Sequence, residues 1–178
     1  MGDIHDPLSV LLILAVSSRY NEALAWTRDM AEKHCGPIAL ASGAFDFTET
    51  DYYAESMGTE LKKQFLACER PIDPAQLTHI KRQTNQWEAE YAALGRHPEP
   101  RPLNVDPGYV TRAKLILAST KDHAHRIYLQ DGIYAEITLV YRHRHWQPHE
   151  WTYPDYRRAD YQEFFTHCRE FLSQQPSD

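Results

Sequence analysis

Between Ser119 and Leu129 the chain reads STKDHAHRIYL, which places Lys121, Asp122, His123, His125 and Arg126 within six positions, directly ahead of an apolar hairpin. Arginine offers a planar fork of donors that fits a carboxylate or phosphate, and lysine adds a compact point charge. Recognition of a small anion is the chemistry this suits. Glu136, in GIYAEITLVY, gives the arginine a carboxylate partner. Asp106 opens DPGY, where Pro107 is expected to fix a turn and Gly108 to take a positive φ. Asp106 then either caps the next element or stands at a strand end as a general base or as an orienting group for a substrate hydroxyl. WTYPDYR adds Tyr153 and Asp155, as functional groups or as an aromatic strap with a turn.

The hairpin decides how these groups face. Gln130, Asp131 and Gly132 separate Leu129 from Ile133, and a three-residue loop ending in glycine is a common connection. Leu129 then faces Ile133, Ile127 faces Ala135 and His125 faces Ile137, all on one apolar side. Tyr128 faces Tyr134 and Arg126 faces Glu136 on the other, where Thr138 also lies. A two-residue turn at Asp131-Gly132 would instead set Ile127 beside Glu136 and mix the faces. Ile127 and Leu129 are therefore expected to carry the burial, and the polar side to wall a cleft or face solvent.

The elements that position these groups are legible upstream. LSVLLILAV is a continuous apolar run of strand length. Asn21 is expected to cap a helix to about Cys35, closed by Gly36-Pro37. Ile38 to Phe47 returns as a strand, FTETDYYAESMG is a polar loop or lid, and LKKQFLACE is the next strand. Asp73, Pro74 and Gln76 open a helix with an apolar stripe through Leu77, Ile80, Thr84, Trp87, Tyr91 and Leu94. RPLNV reads as a short fourth strand, and AKLILAST as a helix or a strand, with helix slightly preferred. Asp160 and Glu163 form a capping box for a last helix carrying Tyr161, Phe164, Phe165, Cys168, Phe171 and Leu172. The β-α-β-β-α-β order of the first hundred or so residues suits a ferredoxin-like unit, with two helices on one face of an antiparallel sheet.

Composition sets limits. The 178 residues carry a net charge of -6, 42% apolar and 12% aromatic residues, which fits a folded domain and argues against a general nucleic-acid or membrane-surface binder. The longest apolar run, Leu11–Val16, is far below the roughly 20 residues that span a bilayer, and acidic residues precede it where a signal peptide is basic. A cytoplasmic location with reduced Cys35, Cys68 and Cys168 is expected.

DFTETDYYAESMG, NVDPGYV, AKLILASTKDHAHRIYL, GIYAEITLVY and WTYPDYR together resemble the uncharacterised prokaryotic family called domain of unknown function 4416, over nearly the whole chain. The resemblance places Asp106, Gly108, Tyr109, Lys121, His125, Arg126, Tyr128, Glu136, Tyr153 and Asp155 on motif positions, and leaves His123, His143, His145 and His149 off them. Members sometimes carry a GTP-binding label; this chain has no phosphate-loop motif, and its seven glycines are scattered. The two HxH pairs lack an acidic or cysteine ligand that would complete a metal set, so surface histidines are the better account.

The sequence thus implies one α+β domain: a ferredoxin-like core over residues 1–106 and a hairpin-plus-helix extension over 107–178. The expected function is binding of a small anionic, phosphate-bearing ligand, a nucleotide being one candidate. Lys121, Arg126, His125, Tyr109, Tyr128, Tyr153 and Asp155 are the binding residues. Asp106 and Glu136 are the catalytic candidates, as acid/base or orienting groups. No cofactor, metal or membrane partner is expected. The rival, from another class, is a noncatalytic protein-interaction or RNA-associated module. No motif names a reaction.

Overall fold

The computed structural model describes residues 2–49 and 54–175. Its elements are β1 (Leu11–Ser18), α1 (Asn21–Cys35), β2 (Ile38–Ala41), β3 (Phe45–Asp46), a short α2 (Ala54–Met57), β4 (Lys62–Cys68), α3 (Leu77–Ala93), β5 (Asn104–Val110), β6 (Lys114–Ser119), β7 (Ile127–Gln130), β8 (Ile133–Arg142), β9 (His145–Pro148) and α4 (Ala159–Gln174). The strands form one antiparallel sheet in the order β2-β4-β1-β5-β6-β8-β7, with β3 beside β4 and β9 beside β8. The fold is α+β.

β1 is apolar throughout because it is buried on both faces. Leu12, Leu14 and Val16 meet Ala23, Leu24 and Ala31 of α1 and Ile80, Trp87 and Tyr91 of α3. Leu11, Ile13 and Ala15 meet Tyr161, Phe164, Phe165 and Cys168 of α4 on the other side. α1 and α3 therefore share one face of the sheet, α4 covers part of the other, and β1 runs between β4 and β5. Among the described residues no helix is long and apolar enough to cross a membrane.

Several local expectations are corrected. Asn21 is the first helical residue; Tyr20 holds the cap position, and Asn21 Oδ1 accepts from Lys62 Nζ at 3.3 Å. Asp73 does cap, accepting from Ala75 N at 2.8 Å, but it opens a 3-10 turn, and α3 begins only at Leu77. Asp160 accepts from Tyr161 N and ion-pairs with Arg158. The segment from Ile38 to Phe47 is two short strands. Of the expected loop or lid, positions 50–53 lie outside the described residues. AKLILAST is strand β6, not helix: Leu115 and Leu117 pack toward α4, Ile116 and Ala118 toward Leu77 of α3. A strand buried on both faces lacks the alternation that marks strands.

DPGY is not a turn. β5 runs through it and past the expected boundary at 106, and Gly108 has no positive φ. Its lack of a side chain is what matters, since a Cβ there would lie 2.2 Å from the Ile116 carbonyl oxygen. β5 and β6 pair at Gly108–Leu117, Tyr109–Ile116 and Val110–Leu115, whereas β1 stays paired with β5 down to Asn104. The next rung would join Pro107 to Ala118, and proline has no N–H to donate. There the sheet forks.

The hairpin keeps the expected pairs Ile127–Ala135 and Tyr128–Tyr134, but its tip differs. Asp131 and Gly132 both have positive φ, 53° and 76°, the mark of a two-residue type I′ turn, and a bulge between Tyr128 and Gln130 restores the register. On the apolar side Ile133 is buried beside Leu77 and Ile116, as expected, but the burial assigned to β7 is not found. Ile127 is 72% exposed and Leu129 41%, while Arg126 and Glu136 are buried. β7 ends the strand path, and all four of its residues are exposed.

The close approach at Gly108 is testable by urea unfolding. Gly108→Ala is expected to cost about 3 kcal/mol, because the strand pair must separate to admit a methyl group. Gly43→Ala, with nothing within 4 Å of the added carbon, should stay within about 0.5 kcal/mol of the parent. Equal stability of the two variants would contradict the packing described.

Candidate functional site

Below the fork, the outer edge of β5 has no strand beside it, yet buried backbone groups require partners. Helix α3 supplies them. Glu88 Oε1 accepts from Val105 N at 2.8 Å, and Lys81 Nζ donates to the Val105 carbonyl at 3.2 Å. Lys81 also donates to Asp106 Oδ1 at 2.7 Å, and Asn104 Nδ2 donates to Asp106 Oδ2 at 2.8 Å. Arg101 is paired with Glu88 at 2.8 Å and donates to Asn104 Oδ1. Burial alone would raise the Asp106 pKa; the Lys81 charge, the bonds from Lys81 and Asn104 and the nearby Lys63 charge outweigh it and hold the value at about 2.

The opposite wall is the segment Trp151–Arg157, which straps across the sheet. Trp151 Nε1 donates to the Ile137 carbonyl at 3.0 Å, and Thr152 Oγ1 to the Thr138 carbonyl at 2.6 Å. Asp155 accepts from Lys63 Nζ at 2.5 Å, and that ammonium stands 3.9 Å from the centre of the Phe47 ring. Both charged side chains are buried.

Arg126 joins the strap to the hairpin. Its Nε donates to Glu136 Oε2 at 2.8 Å, Nη1 to Ser119 Oγ at 2.7 Å and to the Lys121 carbonyl at 3.0 Å, and Nη2 to Tyr153 Oη at 2.9 Å. Glu136 also meets His125 Nε2 at 3.0 Å and Thr138 Oγ1 at 3.3 Å. The Arg126 and Glu136 side chains are each only 2% exposed, so the pair is buried structure, not a decoration of a solvated edge.

These walls enclose a cavity of about 620 Å³. Of the residues singled out from sequence, Asp106, Lys121, Arg126, Glu136, Tyr153 and Asp155 line it. Tyr109 does not: three positions beyond Asp106 it points to the other face, against the Leu77 and Ile116 cluster. Tyr128 is 57% exposed at the hairpin edge. His125 stands behind Glu136, stacked between His123 and Trp151, and His123 reaches the cavity in its place. Among the described residues no group of three or more His, Cys, Asp or Glu side chains is placed to hold a metal.

Lys63, Lys81, Asn104 and Arg101 were missed, although the two lysines had a readable signal. Lys63 alternates in phase with Phe65 and Ala67, and Lys81 falls on the buried stripe of α3 between Leu77 and Thr84. A lysine in a buried phase needs a partner, and here that partner is the cavity's carboxylates.

Over residues 8–171 the chain matches the family described as Domain of unknown function (DUF4416), and it belongs to that family. The match takes in every residue that lines the cavity. No curated protein and no solved structure matches the chain.

Removing one member of a buried pair strands the other. Arg126→Met is expected to cost roughly 3 to 5 kcal/mol in chemical denaturation, and Arg126→Met with Glu136→Gln to recover part of that loss. A cost under about 1 kcal/mol would mean the pair behaves as a surface one.

Proposed function

We propose that the cavity binds a small anionic, phosphate-bearing ligand. The observation that carries this reading is the convergence of Lys63, Lys81, Arg101, Lys121 and Arg126 on one concave volume of about 620 Å³. Small-molecule sites commonly span roughly 300 to 1,000 Å³. Buried ion pairs are frequently no more stabilising than apolar packing of the same shape, so three of them around an open volume point to a role beyond folding.

The donors divide the work. An ammonium has three N–H groups. Among the described residues Asp155 takes one from Lys63, and Val105 and Asp106 take two from Lys81, so both lysines have a donor left for an anion. Arg126 directs four of its donors to Glu136, Ser119, Lys121 and Tyr153, which makes it the group that fixes the wall. Lys121 contributes charge from that wall. Asp106, with a pKa of about 2, is a weak base at neutral pH. It serves to orient Lys81 and a ligand hydroxyl.

The order β2-β4-β1-β5, with α1 and α3 on one face, supports reading the first half as a ferredoxin-like unit. The free cysteines accord with a cytoplasmic protein. The rival reading, a module that meets a macromolecule, rests on exposed Ile127, Tyr128 and Leu129 at the sheet edge, away from the cavity.

Thermal unfolding in the presence of inorganic phosphate, pyrophosphate and nucleoside phosphates tests the proposal. At least one should raise the melting temperature at millimolar concentration, and Lys121→Met should weaken it at least about tenfold, roughly 1.4 kcal/mol. A protein indifferent to all of them, or binding unchanged in Lys121→Met, would end this reading.

A further inference from the structure

Tyr156 lines the cavity from the strap, and its side chain takes no part in the hydrogen bonds that fix the strap. Its backbone is held on both sides: the N–H donates to the Tyr153 carbonyl at 3.1 Å, and its own carbonyl accepts from Gln162 Nε2 at 3.2 Å. The ring is clamped among aromatic neighbours. Phe165 lies parallel to it at 5.9 Å, and Phe65 and Tyr161 stand steeply to it at 5.9 and 6.0 Å. The residue is 3% exposed, so the phenol cannot swing away to find a partner elsewhere.

A buried tyrosine hydroxyl normally finds a hydrogen-bond partner. Among the described residues this one has none, yet it is not sealed in as the unpartnered Tyr161 hydroxyl is. With the ring packed in the core, the hydroxyl is what Tyr156 presents to the cavity. Burial, and then the charges of Asp155 and Asp106, push its pKa well above 10, so it keeps its proton and acts as a donor.

The missing acceptor must come from a ligand, and the surroundings select its kind. Asp106, Glu136 and Asp155 line the same cavity. The Glu136 and Asp155 side chains are 2% and 4% exposed, whereas that of Asp106 is 35% exposed, which makes Asp106 the open one of the three. Its Oδ1 accepts from Lys81 and its Oδ2 from Asn104, and each carboxylate oxygen keeps a second lone pair. A fully ionised phosphate has no proton to give a carboxylate. A hydroxyl can accept from a phenol and donate to a carboxylate at once.

We propose that the ligand is a phosphate ester that also carries a hydroxyl group, as polyol and sugar phosphates do, and that this hydroxyl lies between Tyr156, which donates to it, and Asp106, which accepts from it. This rests on the cavity being an anion site, and it divides the ligand between two sets of groups. Lys63 and Lys81 take the phosphate; Tyr156 and Asp106 take the hydroxyl. Lys81 and Asp106 are 2.7 Å apart, so a short ester spans both.

The test is isothermal titration of the full chain with propyl phosphate, which has no free hydroxyl, and with glycerol 3-phosphate and ribose 5-phosphate. At least one hydroxylated ester should bind about fivefold or more tighter than propyl phosphate. Tyr156→Phe, which removes a single oxygen, should abolish most of that advantage and keep the ligand-free melting temperature within about 2 °C of the parent. Equal affinity for the three esters would overturn the proposal and leave the anion site standing. Binding of none of them would overturn it as well; the anion site falls only if inorganic phosphate, pyrophosphate and nucleoside phosphates also fail. A matching fall in propyl phosphate affinity in Tyr156→Phe would put the phenol on the phosphate instead. A larger drop in melting temperature would mean that the hydroxyl is already bonded within the protein. Either result also overturns the proposal.

Discussion

Pro107 cannot donate a hydrogen bond, and at its rung β5 and β6 part company while β1 continues to pair with β5. A strand edge that is buried but has no neighbour must find partners for its backbone groups. Glu88 and Lys81 of α3 meet that need at Val105. Placing a lysine there brings a carboxylate, Asp106, and through Asn104 and Arg101 a chain of charged and amide groups. The space that β6 would have filled becomes the cavity. Gly108 sets where the fork begins, because only a residue without a side chain lets the Ile116 carbonyl come so close.

The far wall depends on a second constraint. The strap from Trp151 to Arg157 must cross a sheet face whose charged residues would otherwise lack partners. Lys63 reaches Asp155, and Arg126 reaches Tyr153, across more than one element each. These contacts fix the strap, and the strap excludes water from the pairs, so each depends on the other. In a partly desolvated cavity such charges act more strongly on a ligand than they would at the surface. If the cavity takes the proposed anion, these contacts already hold the charges in position, which lowers the ordering cost of binding.

Much of the fold was legible in the sequence, for physical reasons that differ by element. The stripes of α1, α3 and α4 repeat at helical spacing, and the hairpin pairs Tyr128–Tyr134 and Ile127–Ala135 come from a short connection. Asp106, Lys121, Arg126, Glu136, Tyr153 and Asp155, drawn from separated stretches, line one cavity. The error at DPGY lay in reading it by turn chemistry, when proline and glycine mark a ladder that stops and a backbone that comes close. Within the hairpin, local polarity misjudges the burial of Ile127, Leu129, Arg126 and Glu136, while the faces themselves follow the pairing. Arg126 and Glu136 are buried by a strap whose position no local pattern encodes, and Ile127 is exposed because the sheet ends there. Lys63 and Lys81 were passed over since a charge within an apolar stripe reads as noise until its partner is known.

The central claim is that the fork holds a preorganised anion site between Lys63, Lys81 and the wall fixed by Arg126. Crystals grown or soaked with tungstate, an oxyanion with a strong anomalous signal, test it directly. The account predicts the strongest anomalous peak inside the cavity, within hydrogen-bonding reach of Lys63 or Lys81 and away from lattice contacts. Peaks confined to surface lysines and arginines, with the cavity empty at full tungstate occupancy elsewhere, would contradict it.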